Sequence, residues 1–306
     1  LLCGLQKLCL EEGHITLLDE IEFGLEPHRI SRLIKHIKAD EIGQYFLTTH
    51  SPIVLRELTI KELYVTHNND GLIQIIPAFN KNLEEHSIQG KIRSSAEAFL
   101  AKRVIICEGA TEVGFLRGFD DYQLEKGKDP FSYHGVALLD ARGASKIKGM
   151  GQAFKSLYYH VGILADGDAP NQFSETDETD LVELGIKVAV WAEQLSLEER
   201  AMMDLPWENV LSSAKLANSG EPRFPVPDNV CSALGRAISY DIDSWEESLE
   251  LRKAIGKAAK NSGWFKDVTR GDLWFKQIAC AFEAQDFQSS DLAVKLNRLW
   301  EWAEDV

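Results

Sequence analysis

Several things are missing from this chain, and each absence narrows what it can do. No apolar run reaches the length of a bilayer span. The opening segment, Leu1-Leu2-Cys3-Gly4-Leu5-Gln6-Lys7-Leu8-Cys9-Leu10, is too short, is interrupted by Gln6 and Lys7, and lacks the basic start and cleavage site of a secretory leader. It is expected to form a core helix over Leu1–Glu12. No internal repeat or low-complexity tract is present. Cysteine is scarce and unpaired in spacing: Cys3, Cys9, Cys107, Cys231 and Cys280 form no metal-binding pattern, and their odd number and scatter suit reduced thiols in a cytoplasm better than a disulfide framework. Nor does a glycine-rich loop ending in Gly-Lys-Ser/Thr occur anywhere, so any triphosphate-cradling element must lie upstream or in another chain. The sequence opens without Met, inside a motif-bearing region, and is expected to be a fragment of a longer protein that does not hydrolyse ATP by the complete mechanism alone. Basic residues are also in deficit. With 33 Lys and Arg against 48 Asp and Glu, the net charge is −15, which argues against a nucleic-acid binder unless the few cations are grouped.

They are grouped. Arg142, Lys146, Lys148 and Lys155 fall between Ala141 and Ala165 with no acidic residue among them, as do Arg252, Lys253, Lys257, Lys260 and Lys266 between Leu251 and Lys266. Either run alone reads as a solvated helix face. Their placement around an acidic site raises the nucleic-acid reading.

At 306 residues and 44% apolar content the chain has material for two or more globular domains. Its first part reads as strand Ile15–Asp19, helix Pro27–Lys38, strand Gln44–Thr48 and a helix from Pro52, with Pro27 and Pro52 suited to first helical turns. Two apolar runs, Glu62–Thr66 and Leu72–Ile76, flank Asn68-Asn69-Asp70-Gly71 and predict a hairpin. A polar stretch from Asn80 to Ser95 follows. Then come strand Arg103–Cys107, helix Thr111–Phe119, strand Val136–Leu139, helix Ser145–Tyr158, strand Val161–Ala165 and strand Lys187–Trp191. This alternation implies a parallel sheet with helices on its faces. The acidic stretch Asn171–Glu183 reads as a loop and the start of a helix. Beyond Leu195 the pattern is helical, with Ser244–Ala259 and Asp291–Ala303 amphipathic and a break at Pro222, Pro225 and Pro227. The domains expected are 1–80, a linker over 81–100, 101–193, and a helical region over 194–306.

The chemistry is concentrated in two acidic turns. Val104-Ile105-Ile106-Cys107 runs into Glu108, Gly109 and, one helical turn on, Glu112; Val161-Gly162-Ile163-Leu164-Ala165 runs into Asp166-Gly167-Asp168. A Glu in a first helical turn is commonly just a helix-end charge, and Asp-Gly-Asp commonly a surface turn. An acid straight after a buried strand has no such excuse. Two strand ends delivering carboxylates to one sheet edge can hold Mg²⁺ or Mn²⁺, with room left for a phosphate. Asp140, at the next strand end, is a weaker candidate. Upstream, Ile15-Thr16-Leu17-Leu18 ends in Asp19-Glu20, and Phe46-Leu47-Thr48-Thr49 ends in His50.

These motifs carry a resemblance. Asp19-Glu20, the loop Glu22-Phe23-Gly24-Leu25-Glu26-Pro27 and His50 resemble the second half of an ABC-type ATPase, with Ile21 standing where many relatives have proline and Glu26 where histidine is common. The two acidic turns resemble the Toprim domain of primases, topoisomerases and certain nucleases. Together they look like the OLD family of ATP-dependent nucleases. The resemblance implies an α/β fold in three parts: a partial ABC-type ATPase domain, a Toprim parallel sheet and a mainly helical C-terminal region. It further implies that Asp19 supports Mg²⁺, Glu20 polarises the attacking water and His50 senses the γ-phosphate of ATP. Glu108, Glu112, Asp166 and Asp168 would bind one or two metal ions, and a later lysine, Lys266 with Lys260 and Lys276 as rivals, would sit near the scissile phosphate. The loop Glu22–Pro27 would face a partner subunit, so a homodimer or larger homo-oligomer is expected, acting on DNA in phage defence, in the cytoplasm, without membrane contact and with room for a partner protein of the defence system.

A topoisomerase would need a strand-cleaving tyrosine in context, and a primase further machinery; neither is found. The competing reading is a non-catalytic ATP-driven DNA sensor or clamp, or a scaffold serving a partner nuclease. Four clustered carboxylates, which repel unless cations join them, count against it.

Overall fold

The computed structural model describes residues 13–79 and 85–305; the helix expected over Leu1–Glu12 lies outside them. Contacts divide the chain into two compact units, with the boundary between Leu100 and Ala101. Among the described residues no helix is long and apolar enough to cross a membrane.

In the first unit, β1 (Ile15–Leu18) pairs in parallel with β2 (Gln44–Leu47), Ile15 opposite Gln44 and Leu18 opposite Leu47, and helix α1 (Pro27–Lys38) makes the crossover between them. Ile30, Ile34 and Ile37 recur at helical spacing and form the buried stripe of α1. They pack with Ile21 and Val54, while Ile15, Leu17 and Phe46 alternate to the opposite, exposed face of the strands. Helix α2 (Pro52–Glu57) starts at Ser51, whose hydroxyl accepts from the Ile53 N–H at 3.3 Å. Strands β3 (Tyr64–Asn69) and β4 (Leu72–Pro77) form the antiparallel hairpin, turning on Asp70 and Gly71 with φ of 50° and 90°. Positive φ at both turn positions is what a two-residue hairpin loop demands. Helix α3 (Glu85–Ser94) lies within the stretch read as a linker.

The second unit is built on four parallel strands, β5 (Arg103–Cys107), β6 (Val136–Asp140), β7 (His160–Ala165) and β8 (Lys187–Val190), in the order β6-β5-β7-β8. Helix α4 (Ala110–Glu125) connects β5 to β6, α5 (Ile147–Ser156) connects β6 to β7, and α6 (Glu175–Glu183) connects β7 to β8. From β5 the chain moves to one side of the sheet, and from β7 to the other. The topological switch point, where open α/β sheets take ligands, therefore falls between the carboxyl ends of β5 and β7. Helix α6 is the helix whose start the stretch Asn171–Glu183 predicts: Ser174 accepts from the Asp177 N–H and Asp177 reaches back to the Ser174 N–H, a reciprocal cap in a first turn where acidic residues are favoured.

The α-helices that follow among the described residues are α7 (Leu197–Asp204), α8 (Trp207–Ser219), α9 (Val226–Leu234), α10 (Leu249–Ser262), α11 (Val268–Ile278) and α12 (Asp291–Glu304). Helix α10 begins later than the periodicity from Ser244 suggested, because Ile242–Ser244 is a 3-10 turn and Ser248 supplies the cap, accepting from the Leu251 N–H. The sheet and these helices share one core. Ile105, Phe115, Phe119, Leu164 and Trp191 join Leu197, Trp264, Trp274, Phe275 and Trp300, and Phe265 stacks on Trp274 at 4.1 Å between centroids. Helices α4 and α11 cross closely enough that a Cβ at Gly114 would lie 2.1 Å from the Val268 carbonyl oxygen, and one at Gly271 2.5 Å from that of Thr111.

Candidate functional site

Glu108 follows the fully buried β5, and Asp166 follows β7, whose last five residues are buried. The strands are adjacent and in register, so the two acids emerge side by side: the Asp166 N–H donates to Glu108 Oε2 at 3.1 Å. The Gly109 backbone is extended (φ −149°), so the benefit of glycine there is space, since a Cβ would stand 3.3 Å from Glu112 Oε2. Glu112, at the third position of α4, turns that oxygen back onto the Gly109 N–H at 2.8 Å and is only 4% exposed.

The Asp166-Gly167-Asp168 turn is pressed against the segment after β8. A Cβ at Gly167 would be 2.4 Å from the Trp191 carbonyl oxygen, and the Gly167 N–H donates to Leu195 O at 3.0 Å. Glu193 and Gln194 both adopt left-handed backbone (φ 61° and 55°), a costly conformation for non-glycine residues that doubles the chain back toward this turn. Helix α7 then starts directly beneath Asp166, whose Oδ1 accepts from the Leu197 N–H at 2.9 Å.

That docking brings in a residue that sequence reasoning missed. Glu198, in the first turn of α7, is 6% exposed and belongs to the same acidic group. Burial raises its pKa, against the hydrogen bond from Ser196 and the charges of Lys266 and Lys260. Burial and then the charge of Glu198 lift Glu112 to about 8; burial also raises Glu108, with Asp168 and Glu198 adding to it; Asp166 is raised by burial and then by Glu112, Glu198 and Glu108. The one sequence signal was Ser196-Leu197-Glu198-Glu199, a serine followed three residues later by glutamate, which marks a helix start and identifies Glu199 as the capping partner but says nothing of Glu198.

Lys260 reaches the site from α10. A Cβ at Gly256 would lie 2.8 Å from Glu199 Cα, so α10 rests directly on α7, and one turn later the Lys260 ammonium pairs with Asp168 and, at 3.3 Å, with Glu199. Lys266 lies beyond the α10 end at Gly263, is exposed, and acts on Glu198 through its charge. Lys276 is drawn elsewhere, into ion pairs with Asp121 at 2.7 Å and Asp272 at 3.0 Å. Asp140 is held by its own turn, its Oδ1 accepting from the N–H of left-handed Arg142 at 2.7 Å.

Among the described residues no three His, Cys, Asp or Glu side chains stand ready-made around an ion. Glu108, Glu112 and Asp166 each have an oxygen on a backbone N–H, and Asp168 is on Lys260. The donor set is nonetheless all carboxylate, buried and mutually repelling, which suits a hard divalent cation.

In the first unit, Leu18 opposite Leu47 brings the ends of β1 and β2 level, so Asp19, Glu20 and His50 leave the same sheet edge. The Thr48 hydroxyl donates to Asp19 Oδ1 and accepts from the Glu20 N–H at 2.9 Å; Glu20 itself is left-handed (φ 44°).

Residues 1–56 match the family described as "AAA domain, putative AbiEii toxin, Type IV TA system", and residues 99–168 match the TOPRIM domain of proteins like the overcoming lysogenization defect (OLD) protein. The chain has an OLD-type ATPase–Toprim architecture. Within this OLD-type arrangement Asp19, Glu20 and His50 fall in the first matched segment, and Glu108, Glu112, Asp166 and Asp168 in the second, while Glu198 and Lys260 lie outside both. Among solved structures, the C-terminal region of the Xanthomonas campestris pv. campestris OLD protein is similar at 14% identity over 67% of this chain and 99% of that one, with a TM-score of 0.29, too low to support an argument. No curated protein matches.

Proposed function

We propose that the chain carries a metal-dependent DNA endonuclease governed by an ATPase module. The observation that carries this reading is the convergence of Glu108, Glu112, Asp166, Asp168 and Glu198 at the switch point between β5 and β7, where burial disfavours the anions of Glu108, Glu112, Asp166 and Glu198 and neighbouring carboxylates add to the effect at the first three. A cluster of this kind is tolerated as charge only when a cation joins it. The five carboxylates would hold Mg²⁺ or Mn²⁺, which, when bound, lowers the pKa of water and stabilises charge on a phosphate.

The protein's own groups do the rest. Backbone N–H groups of Gly109, Asp166 and Leu197 fix one oxygen each of Glu112, Glu108 and Asp166, so these side chains are oriented before any ligand arrives. Lys260 pairs with Asp168 while Lys266 acts on Glu198 through its charge, and in this reading the Lys260 ammonium is the cation that meets a phosphate oxygen once Asp168 turns away. Within the first basic run, Lys148 is committed to Asp177 and Asp180 and Lys155 to the Gly185 carbonyl, leaving exposed Arg142 and Lys146 beside the β6 end to follow a DNA backbone. Asp19, Glu20 and His50 take the nucleotide part, in a homodimer or larger assembly, in the service of phage defence.

Cleavage of supercoiled plasmid by the full-length protein with Mg²⁺ or Mn²⁺ tests the reading, against EDTA and the Asp166→Asn/Asp168→Asn variant, which keeps an acceptor for the Leu197 N–H. Nicking that needs metal and both aspartates is expected. No cleavage in any metal and nucleotide state would sink the enzyme and favour the ATP-driven DNA sensor.

A further inference from the structure

The turns after β1 and β2 are joined by side chains as well as by the sheet. Glu22 accepts twice from the second turn: the Thr49 hydroxyl donates to its Oε2 at 2.7 Å, and the His50 backbone N–H donates to its Oε1 at 2.6 Å. Thr49 Oγ1 also accepts from the Ser51 N–H at 3.0 Å, and Ser51 caps α2, so the carboxylate is the hub of a chain running from the first turn to a helix start. Burial works to raise the Glu22 pKa, but the Thr49 and His50 hydrogen bonds and the charge of His50 outweigh it and hold Glu22 below the usual carboxylate range. It is therefore ionised at neutral pH, and its hydrogen bonds are charge-assisted. On one side of Glu22 stands left-handed Glu20; on the other, the exposed tip of the loop, with Phe23 85% exposed and Gly24 at φ 72°.

We propose that Glu22 is a positioning residue of the nucleotide site, whose carboxylate fixes His50 relative to Asp19 and Glu20. This rests on the ATPase reading of Asp19, Glu20 and His50. Neither of the two bonds belongs to a strand or helix ladder; without Glu22 the two turns stay joined at Thr48, through its N–H to Leu18 O at 2.9 Å, its carbonyl from the Ile21 N–H at 3.3 Å and its hydroxyl to Asp19 and from the Glu20 N–H, but none of these bonds reaches Thr49 or His50.

The test is steady-state ATP hydrolysis by the full-length protein, with kcat and KM read separately. Glu22→Ala should lower kcat about 10- to 100-fold, the scale of a small misplacement of a reacting group, and leave KM for ATP within about twofold. Glu22→Gln, which still offers an acceptor to the His50 N–H, should recover most of the rate. The Glu22→Ala/His50→Ala double variant should be no slower than His50→Ala, because both changes disable the same group. Wild-type kcat in Glu22→Ala, or losses that multiply in the double variant, would overturn the proposal. Should Glu22→Ala fail to fold, Thr49→Val removes one of the two donors more gently; its kcat should drop in the wild-type background and not in His50→Ala, and no drop would be equally fatal. Glu20→Gln separates the two levels. If it leaves hydrolysis intact, or if the wild type hydrolyses no ATP, the ATPase reading falls and takes this one with it. If it abolishes hydrolysis while Glu22→Ala does not slow it, only the role of Glu22 is lost.

Discussion

Replacing Glu112 by glutamine should stabilise the metal-free protein at alkaline pH and cost it its response to metal. The amide keeps an oxygen for the Gly109 N–H and nearly the same volume, so the change removes charge and little else. In the folded protein Glu112 holds its proton to about 8, through burial and then Glu198, whereas the unfolded chain releases it near 4.5. Between those values the unfolded state binds fewer protons, so stability falls as pH rises and levels off above the folded pKa. At about 1.4 kcal/mol per unit, the difference between wild type and Glu112→Gln should grow from near zero at acidic pH to on the order of 5 kcal/mol once both states are deprotonated. Denaturant titration followed by tryptophan emission reads this cleanly, since all 7 tryptophans, from Trp191 to Trp302, lie in the unit that holds the site. Titrations at pH 4.5 and 9 in EDTA, repeated in excess Mg²⁺, complete the assay. Mg²⁺ should restore the wild type at pH 9 and do much less for the variant. A Glu112→Gln protein no more stable than wild type at pH 9 without metal, or a wild type that gains stability between pH 5 and 8, would refute the argument that burial and Glu198 set the ionisation of Glu112.

Two further outcomes follow from how α10 meets α7. Gly256→Ala inserts a Cβ 2.8 Å from Glu199 Cα; it should lower stability by about 1–3 kcal/mol and, by lifting Lys260 off Asp168, reduce plasmid nicking more than its stability loss at assay temperature explains. Lys260→Ala should reduce nicking at least about tenfold with metal affinity retained, whereas Lys276→Ala, which opens surface pairs to Asp121 and Asp272, should leave nicking unchanged; equal effects of the two would remove Lys260 from the site.

The parts of the site carried by strand ends were legible in the sequence, because an acid after a run such as Val104-Ile105-Ile106-Cys107 contradicts burial and so marks itself. The parallel order was legible for a related reason: strands and helices alternate, and the alternation leaves few topologies. What could not be read depends on packing. Glu198 is hidden inside an ordinary helix start, and only the left-handed pair Glu193-Gln194 folds that start under Asp166. The choice among lysines is likewise a matter of helix contact: Gly256, unremarkable as a letter, lets α10 sit on α7 and so selects Lys260 over Lys266 for contact with Asp168. In the first unit the strand boundaries followed from the apolar runs, while the reach of Glu22 to His50 spans 28 positions and leaves no local trace.

Helix α4 carries Glu112 at one end and, along its length, the glycines that let α11 press against its backbone. At Gly114 even a methyl group would collide with the Val268 carbonyl, and at Gly118 with Phe275 Cβ at 2.7 Å. The stretch 99–168 that marks the chain as Toprim is therefore not a cassette that could be excised and grafted elsewhere: cut free of the helices that follow, it would expose Phe115, Phe119 and a bare glycine groove, and the helix that orients Glu112 would lose the partner it was shaped to receive.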